Sequence, residues 1–316
     1  MEIPDMDMRD AFISRLTEKA QLDPAIVFLT NDYGAPSLDR FRREFPDQFF
    51  NMGIAEQNMI SVAAGMAMGG KKVFAYSIAS FLTLRCLEQI KIDVCTMKLP
   101  ITLVGVGTAY AYSEDGPTHH ATEDMAVTRC LSNLSIYSPS DSRAAGLLVD
   151  EALLQDGPKY FRFDRGKYPV HSGDALPERG YAILREGGDI CLIGTGTTTH
   201  RAMDVSDLLA AHGVHAAVLD LVRIKPLSHL LADELKGRMR LMTIEEHADT
   251  GGIGSAIAEL VVDKELPCRV KRAGISETLL YAYGKRNTLH EQRGLCAKGL
   301  SATALGWLRQ GQGEST

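Results

Sequence analysis

"LPITLVGVGTAYAYSEDGPTHHATEDMA", Leu99 to Ala126, opens as an apolar, β-branched run and ends as a polar loop. The run reads as a buried strand. The loop then leaves its carboxyl end, where open α/β sheets place their ligands. Around it the same rhythm repeats. "AIVFL" from Ala25, "KKVFAYS" from Lys71, "LSIYSPS" from Leu134 and "KYFRF" from Lys159 read as further strands, with helical spacing near 54–69, 80–96 and 142–155. Such alternation predicts a mostly parallel sheet with helices on both faces. Residues 166–188 break the pattern with Gly and Pro and read as a surface linker. A second α/β series follows, with strands at "DICLIGTGT", "HAAVLDL", "RLMTIEEH" and "CRVKRAGI". We therefore expect two domains, 1–170 and 171–316.

Composition bounds the function. The chain has 316 residues, 45% hydrophobic and 23% charged, which is the profile of a globular protein. A net charge of −6 argues against non-specific binding to nucleic acid or anionic lipid. No apolar run approaches the roughly 20 residues of a membrane helix. "MEIPDMDMRD" is acidic where a signal peptide is basic. The six cysteines are scattered without a CxxC pair and read as reduced thiols, so a cytoplasmic setting is expected.

Several side chains stand out as chemistry. "FFNMGIAEQNMISVAAGMAMGG", Phe49 to Gly70, is apolar and small-residued yet carries Glu56 in its first helical turn. A helix-start role accounts for a carboxylate there. Desolvation among Met52, Ile54, Met59 and Ile60 would instead raise its pKa and let a neutral acid donate a hydrogen bond. The loop from Gly105 to Ala126 offers His119, His120 and four nearby carboxylates, suited to acid–base work or to a polyhydroxylated substrate better than to zinc. Asp141 ends "YSPSD" and suits either an N-cap or a ligand contact. In "FRFDRG", Arg162 and Arg165 alternate, so one faces a pocket, and Arg40, Arg42 and Arg43 flank a helical turn. Arginine is the natural reader of phosphate. "GTGTTTH" follows a strand but lacks the third glycine of the dinucleotide fingerprint, and "TGGIGSAIAEL" fits tight loop–helix packing better than an anion site at a helix start.

"FFNMGIAEQNMISVAAGMA", "EDGPTHH", "YSPSD" and "FDRG", in that order and spacing, resemble the thiamine-diphosphate enzymes of the transketolase and deoxyxylulose-phosphate synthase group. "DLVRIKPL" and "EEHADTGGIGSA" extend the resemblance to the transketolase C-terminal domain. It implies an α/β fold, with a pyrimidine-binding domain followed by that C-terminal domain. It implies that Glu56 bonds a ring nitrogen of the cofactor's aminopyrimidine and that Phe81 packs on the ring, with Leu84 or Arg85 lining its pocket. It further implies that His119 contacts sugar oxygens, Asp141 a sugar hydroxyl, and Arg40 and Arg165 the sugar phosphate. "GIAEQ" is closer to the synthases, and His120 stands where transketolases have glutamine. The chain has no Gly-Asp-Gly to hold Mg²⁺ and the diphosphate. The resemblance therefore implies the C-terminal subunit of a split transketolase, active as an α2β2 heterotetramer with a smaller partner that supplies the Mg²⁺ ligands. A β-subunit of a 2-oxo acid dehydrogenase, a deoxyxylulose-phosphate-synthase-like enzyme and a non-catalytic scaffold are the alternatives.

Overall fold

The β-branched and aromatic runs form strands because both faces of each are covered. In the computed structural model, which describes residues 6–171, 179–276 and 284–310, these are β1 (Ile26–Thr30), β2 (Phe49–Asn51), β3 (Lys72–Ile78), β4 (Ile101–Val106), β5 (Ser135–Tyr137) and β6 (Lys159–Phe163). The later strands are β7 (Tyr181–Arg185), β8 (Ile190–Gly194), β9 (Ala216–Leu221), β10 (Arg223–Lys225), β11 (Arg240–Ala248) and β12 (Arg269–Ile275). β1, β4 and β6 are buried at every position, as strands inside a parallel sheet must be. The first sheet runs β10-β5-β6-β4-β3-β1-β2 and the second β12-β11-β8-β9-β7. Only β10, against β5, and β7, against β9, pair antiparallel among the described strands.

Helices α1 (Met8–Ala20), α2 (Pro36–Glu44) and α3 (Glu56–Met68) cover the first sheet together with a helix over Ser142–Leu154. On one face, Phe12, Phe28, Phe41, Phe74, Phe161 and Phe163 interlock, with Phe12 and Phe163 rings 5.0 Å apart. On the other, α3 lays Met59, Ile60, Ala63 and Ala64 on Val27, Leu29 and Ala75, and this core continues into the second sheet. The fold is the expected one: parallel sheets with helices on both faces.

The single helix expected over 80–96 is instead three pieces: Ala79–Thr83, Leu87–Gln89 and a wider-pitched turn at Ile90–Thr96. Thr96 Oγ1 donates to Lys91 O five residues back, which suits the wide pitch. Leu82, Cys86, Ile90 and Val94 nevertheless all point into the core.

The sequence-based boundary at 170/171 adjoins residues 172–178, which lie outside the described residues. The expected linker 166–188 contains β7, and β10 crosses back to complete the first sheet with Arg223 opposite Tyr137. Lys225 seals this seam, its Nζ donating to the carbonyls of Arg129, at 2.7 Å, and Leu131. No helix among the described residues is long and apolar enough to cross a membrane.

Candidate active site

The loop after β4 is shaped by one glycine. Gly107 has φ +79°, and a Cβ there would stand 1.8 Å from Cε2 of Tyr112. Its absence lets the Tyr112 ring lie against the backbone. An isolated bridge between Ala109 and Ala121 closes the loop. Inside it, Asp115 N donates to Tyr112 O and His119 N to Gly116 O, both at 3.0 Å, so the Asp-Gly-Pro turn sets His119 between Phe81 and Tyr112.

From this loop a continuous strip of contacts crosses the carboxyl ends of the strands. Glu56, the first residue of α3, is 4% exposed, and its Oε2 accepts from Arg85 Nη1 at 2.6 Å. The Arg85 guanidinium carbon lies 4.4 Å from the centroid of the Phe81 ring. Phe81 meets His119 edge-on at 5.0 Å, and His119 lies 5.9 Å from Tyr112. Tyr112 carries the Arg165 guanidinium 4.7 Å over its ring, and its hydroxyl shares a short hydrogen bond with that of Tyr33. Burial, reinforced by Tyr33, pushes the Tyr112 phenol up, so it stays a neutral donor or acceptor at ordinary pH. Thr118 Oγ1 sits 3.0 Å from His119 Nδ1, which orients the imidazole.

Beside the strip opens a cavity of about 420 Å³ lined by Ser80, Phe81, Leu84, Arg85, Tyr110 and His120 from the first domain and Ala248, Ile275 and Ser276 from the second. Leu84 and Arg85 both border this cavity. Burial pulls the His120 imidazole below its usual range, favouring the neutral ring.

Beneath the cavity a buried ionic floor joins the domains. Asp124 Oδ2 accepts from Arg162 Nε and from Tyr160 OH, both at 2.7 Å, with Asp124 and Arg162 almost wholly enclosed. His247 approaches Asp124 at 3.9 Å, and burial lowers its pKa to about 4. Glu245 caps the helix at Ile253–Asp263 by accepting from Ile253 N and Gly254 N, while burial pushes its pKa up to about 7. Higher up, Arg286 bridges Asp164 and Glu246, and His290 Nε2 donates to the Glu246 carboxylate at 2.7 Å.

The structure gathers Glu56, Phe81, Leu84, Arg85, His119 and Arg165 into one site. It separates two other candidates. Asp141 is fully buried: Oδ1 accepts from Ala144 N and Oδ2 from His171 N, so each oxygen already holds a backbone N–H. Arg40 lies half-exposed on α2, its Nε bonded to Glu44 one turn on, and it joins no contact of the strip. Of the alternating pair, Arg162 is the structural member and Arg165 the surface one. Glu56 has a partner that the sequence reading did not name, the Arg85 guanidinium at 2.6 Å. Tyr112 and Tyr33 are additions. Their sequence signal was weak, two tyrosines in turn-rich loops, since Tyr112 depends on the backbone at Gly107.

The arrangement fits a flat, nitrogen-bearing ring. Phe81 offers a face, Leu84 an apolar wall and Glu56 a buried acceptor, and the guanidinium already held there has the same planarity and N–H edge. The residues present therefore suit the aminopyrimidine half of a thiamine cofactor. Among the described residues no group of three or more His, Cys, Asp or Glu converges to hold a metal ion.

The transketolase pyrimidine-binding domain model matches residues 4–171 and the transketolase C-terminal domain model residues 180–299. An apulose-4-phosphate transketolase subunit of Actinobacillus succinogenes is 32% identical over 94% of this chain and 96% of its own length. A 1-deoxy-D-xylulose-5-phosphate synthase of Crocosphaera subtropica is 34% identical over 85% of this chain, but over 43% of its own length. Among solved structures, one described as a split gene transketolase, inactive beta4 tetramer, matches with a TM-score of 0.85 at 32% identity, over 96% of this chain and 99% of that one.

Proposed function

This chain belongs to the transketolase family, and from that premise we propose that it is one subunit of a split transketolase that transfers a two-carbon ketol unit from a ketose phosphate to an aldose phosphate. Thiamine diphosphate, when bound, supplies the nucleophilic carbon that carries the unit. Glu56 holds the proton shared with the ring nitrogen of the aminopyrimidine, at Oε2, the oxygen Arg85 now meets. Phe81 and Leu84 pack on the ring and exclude water from it. His119, held between Thr118 and Phe81, orients the sugar oxygens, with Tyr112 behind it. Arg165, over Tyr112 at the outer end of the strip, meets the terminal phosphate, where a guanidinium fork can donate to two phosphate oxygens at once.

The observation that carries this reading is the unbroken contact sequence Glu56–Arg85–Phe81–His119–Tyr112–Arg165. It sets a proton-holding acid, an aromatic platform, an imidazole and a cation in the order that a ring cofactor followed by a phosphorylated sugar requires. The diphosphate and Mg²⁺ are proposed to bind a partner subunit in an α2β2 assembly, since this chain lacks Gly-Asp-Gly. The full-length similarity to an apulose-4-phosphate transketolase subunit supports apulose 4-phosphate as the donor to test first.

The experiment is purification of the tagged chain from its own cells with thiamine diphosphate and Mg²⁺, native mass spectrometry, and assay of the complex. Recovery of a second subunit and transfer from ketose phosphates supports the proposal. The synthase-like relatives supply the rival outcome, decarboxylation of pyruvate with no transfer from ketoses. A complex that binds no thiamine diphosphate would return the chain to the scaffold reading.

A further inference from the structure

Arg85 is the one member of the strip whose position serves no chemistry proposed above. It leaves the chain at residues 84–86, a turn between two short helices, where the backbone is outside any helix. Its guanidinium does two things at once: Nη1 donates to Glu56 Oε2 at 2.6 Å, and its flat face lies 4.4 Å from the Phe81 centroid. Those are the two places, a hydrogen bond at the buried acid and a π face on the aromatic platform, that an aminopyrimidine would occupy there. The two partners differ in freedom. Glu56 is 4% exposed and fixed at the start of α3, whereas the Arg85 side chain is 43% exposed on four rotatable bonds.

We propose that Arg85 is a built-in stand-in for the cofactor ring: it closes the half-site when no ring is present and is displaced into solvent when one enters. The physical need is plain. A carboxylate as enclosed as Glu56, left bare, would carry an uncompensated desolvation cost. Arg85 supplies a partner of the right shape, so Glu56 exchanges one hydrogen-bond partner for another, taking up the proton it shares with the ring nitrogen, and is never orphaned. Because the guanidinium is nearly half in water already, its release costs little. The apparent affinity for the ring is then the intrinsic affinity reduced by the open fraction. Leu84 and Arg85 both line the cavity, so the displaced side chain has room to swing without moving the core residues Leu82 and Cys86.

This inference rests on the thiamine-diphosphate reading, and the test separates the two. Thiamine diphosphate is titrated with Mg²⁺ into the complex of both subunits by calorimetry, with association rates from stopped flow, for wild type, Arg85→Ala and Arg85→Lys. Thermal unfolding checks that each variant is folded. A side chain closed about 80–90% of the time predicts binding about 5- to 10-fold tighter in Arg85→Ala, mostly through faster association, with Arg85→Lys between. Guanidinium ion at millimolar concentration should compete with the cofactor in Arg85→Ala and not in wild type, with potassium chloride as the ionic-strength control. Equal or weaker binding in Arg85→Ala overturns the stand-in role and leaves the cofactor reading intact. Absence of binding in wild type and variants alike overturns both.

Discussion

Asp220 gives the sharpest test of the physical reading. It lies wholly buried on β9, where Oδ2 accepts from Ser140 Oγ of the first domain at 2.5 Å and Oδ1 from Thr199 Oγ1 of the second at 2.7 Å. No cation appears among those partners, and Asp141 nearby pushes in the same direction as burial. Desolvation therefore raises its pKa from the usual 3.8 to about 7. The sign follows from linkage. A group whose pKa is raised by folding stabilises the fold fully below its unfolded pKa, and that contribution is lost as pH climbs through the folded value. At about 1.4 kcal/mol per pH unit, the whole effect is of order 4 kcal/mol, with about 3 kcal/mol of it lost between pH 5 and 8. Asp220→Asn keeps the shape: one hydroxyl goes on donating to the amide oxygen while the other turns to accept from the amide nitrogen, but the side chain cannot ionise. The assay is thermal unfolding of wild type and Asp220→Asn side by side at pH 5, 6, 7 and 8. At about 2 °C per kcal/mol for a chain of this size, wild type should fall about 6 °C behind the variant across the series. Parallel curves from pH 5 to 8 would refute the argument that this carboxyl is buried without compensating charge.

Replacing Glu56 by Ala in the two-subunit complex should lower turnover by at least ~10²-fold at saturating cofactor, the usual scale for a positioned proton-transfer group, measured by coupled assay with a ketose phosphate donor. Gly107→Ala would force a side chain into the Tyr112 ring at positive φ, costing about 2–4 kcal/mol in urea unfolding and weakening donor binding, whereas Gly213→Ala, where a Cβ meets nothing, should carry the backbone strain alone. Asp124→Asn leaves the enclosed Arg162 without its carboxylate and should cost about 3–5 kcal/mol, read from the denaturation midpoint. His119→Ala should raise KM for the sugar more than it changes cofactor affinity; equal losses in both would move His119 from the sugar to the ring.

The strands that carry long apolar runs, β1, β3, β4 and β6, were legible because burial on both faces leaves a continuous signal. β2 and β10 were not. Each is three residues long, and "RIK" at 223–225 becomes a strand only because β5 offers an unpaired edge. β7 was lost inside a stretch whose Gly and Pro content reads as linker. At the site, Glu56, Phe81, His119 and Arg165 were legible as an ordered set of motifs, although their contacts were not. Asp141 shows the limit of that approach. An aspartate before a helix suits a cap and a ligand equally well in sequence, and the structure shows the cap, through the backbone N–H groups of Ala144 and His171. Arg40 was likewise ambiguous until Glu44, one turn on, took its guanidinium. The Glu56–Arg85 pair had no sequence signature at all, since it spans 29 positions and depends on how the chain turns at 84–86.

The return of β10 to the first sheet bears on what happens when the chain is cut. A protease nick between Gly166 and Gly180 would sever the covalent link between the halves and leave the seven-stranded sheet, the Lys225 seal and the shared ionic floor in place. The two fragments should migrate as one species on a native gel and part only in denaturant. Conversely, a first half expressed alone would present β5 as an open edge, free to pair with another copy of itself.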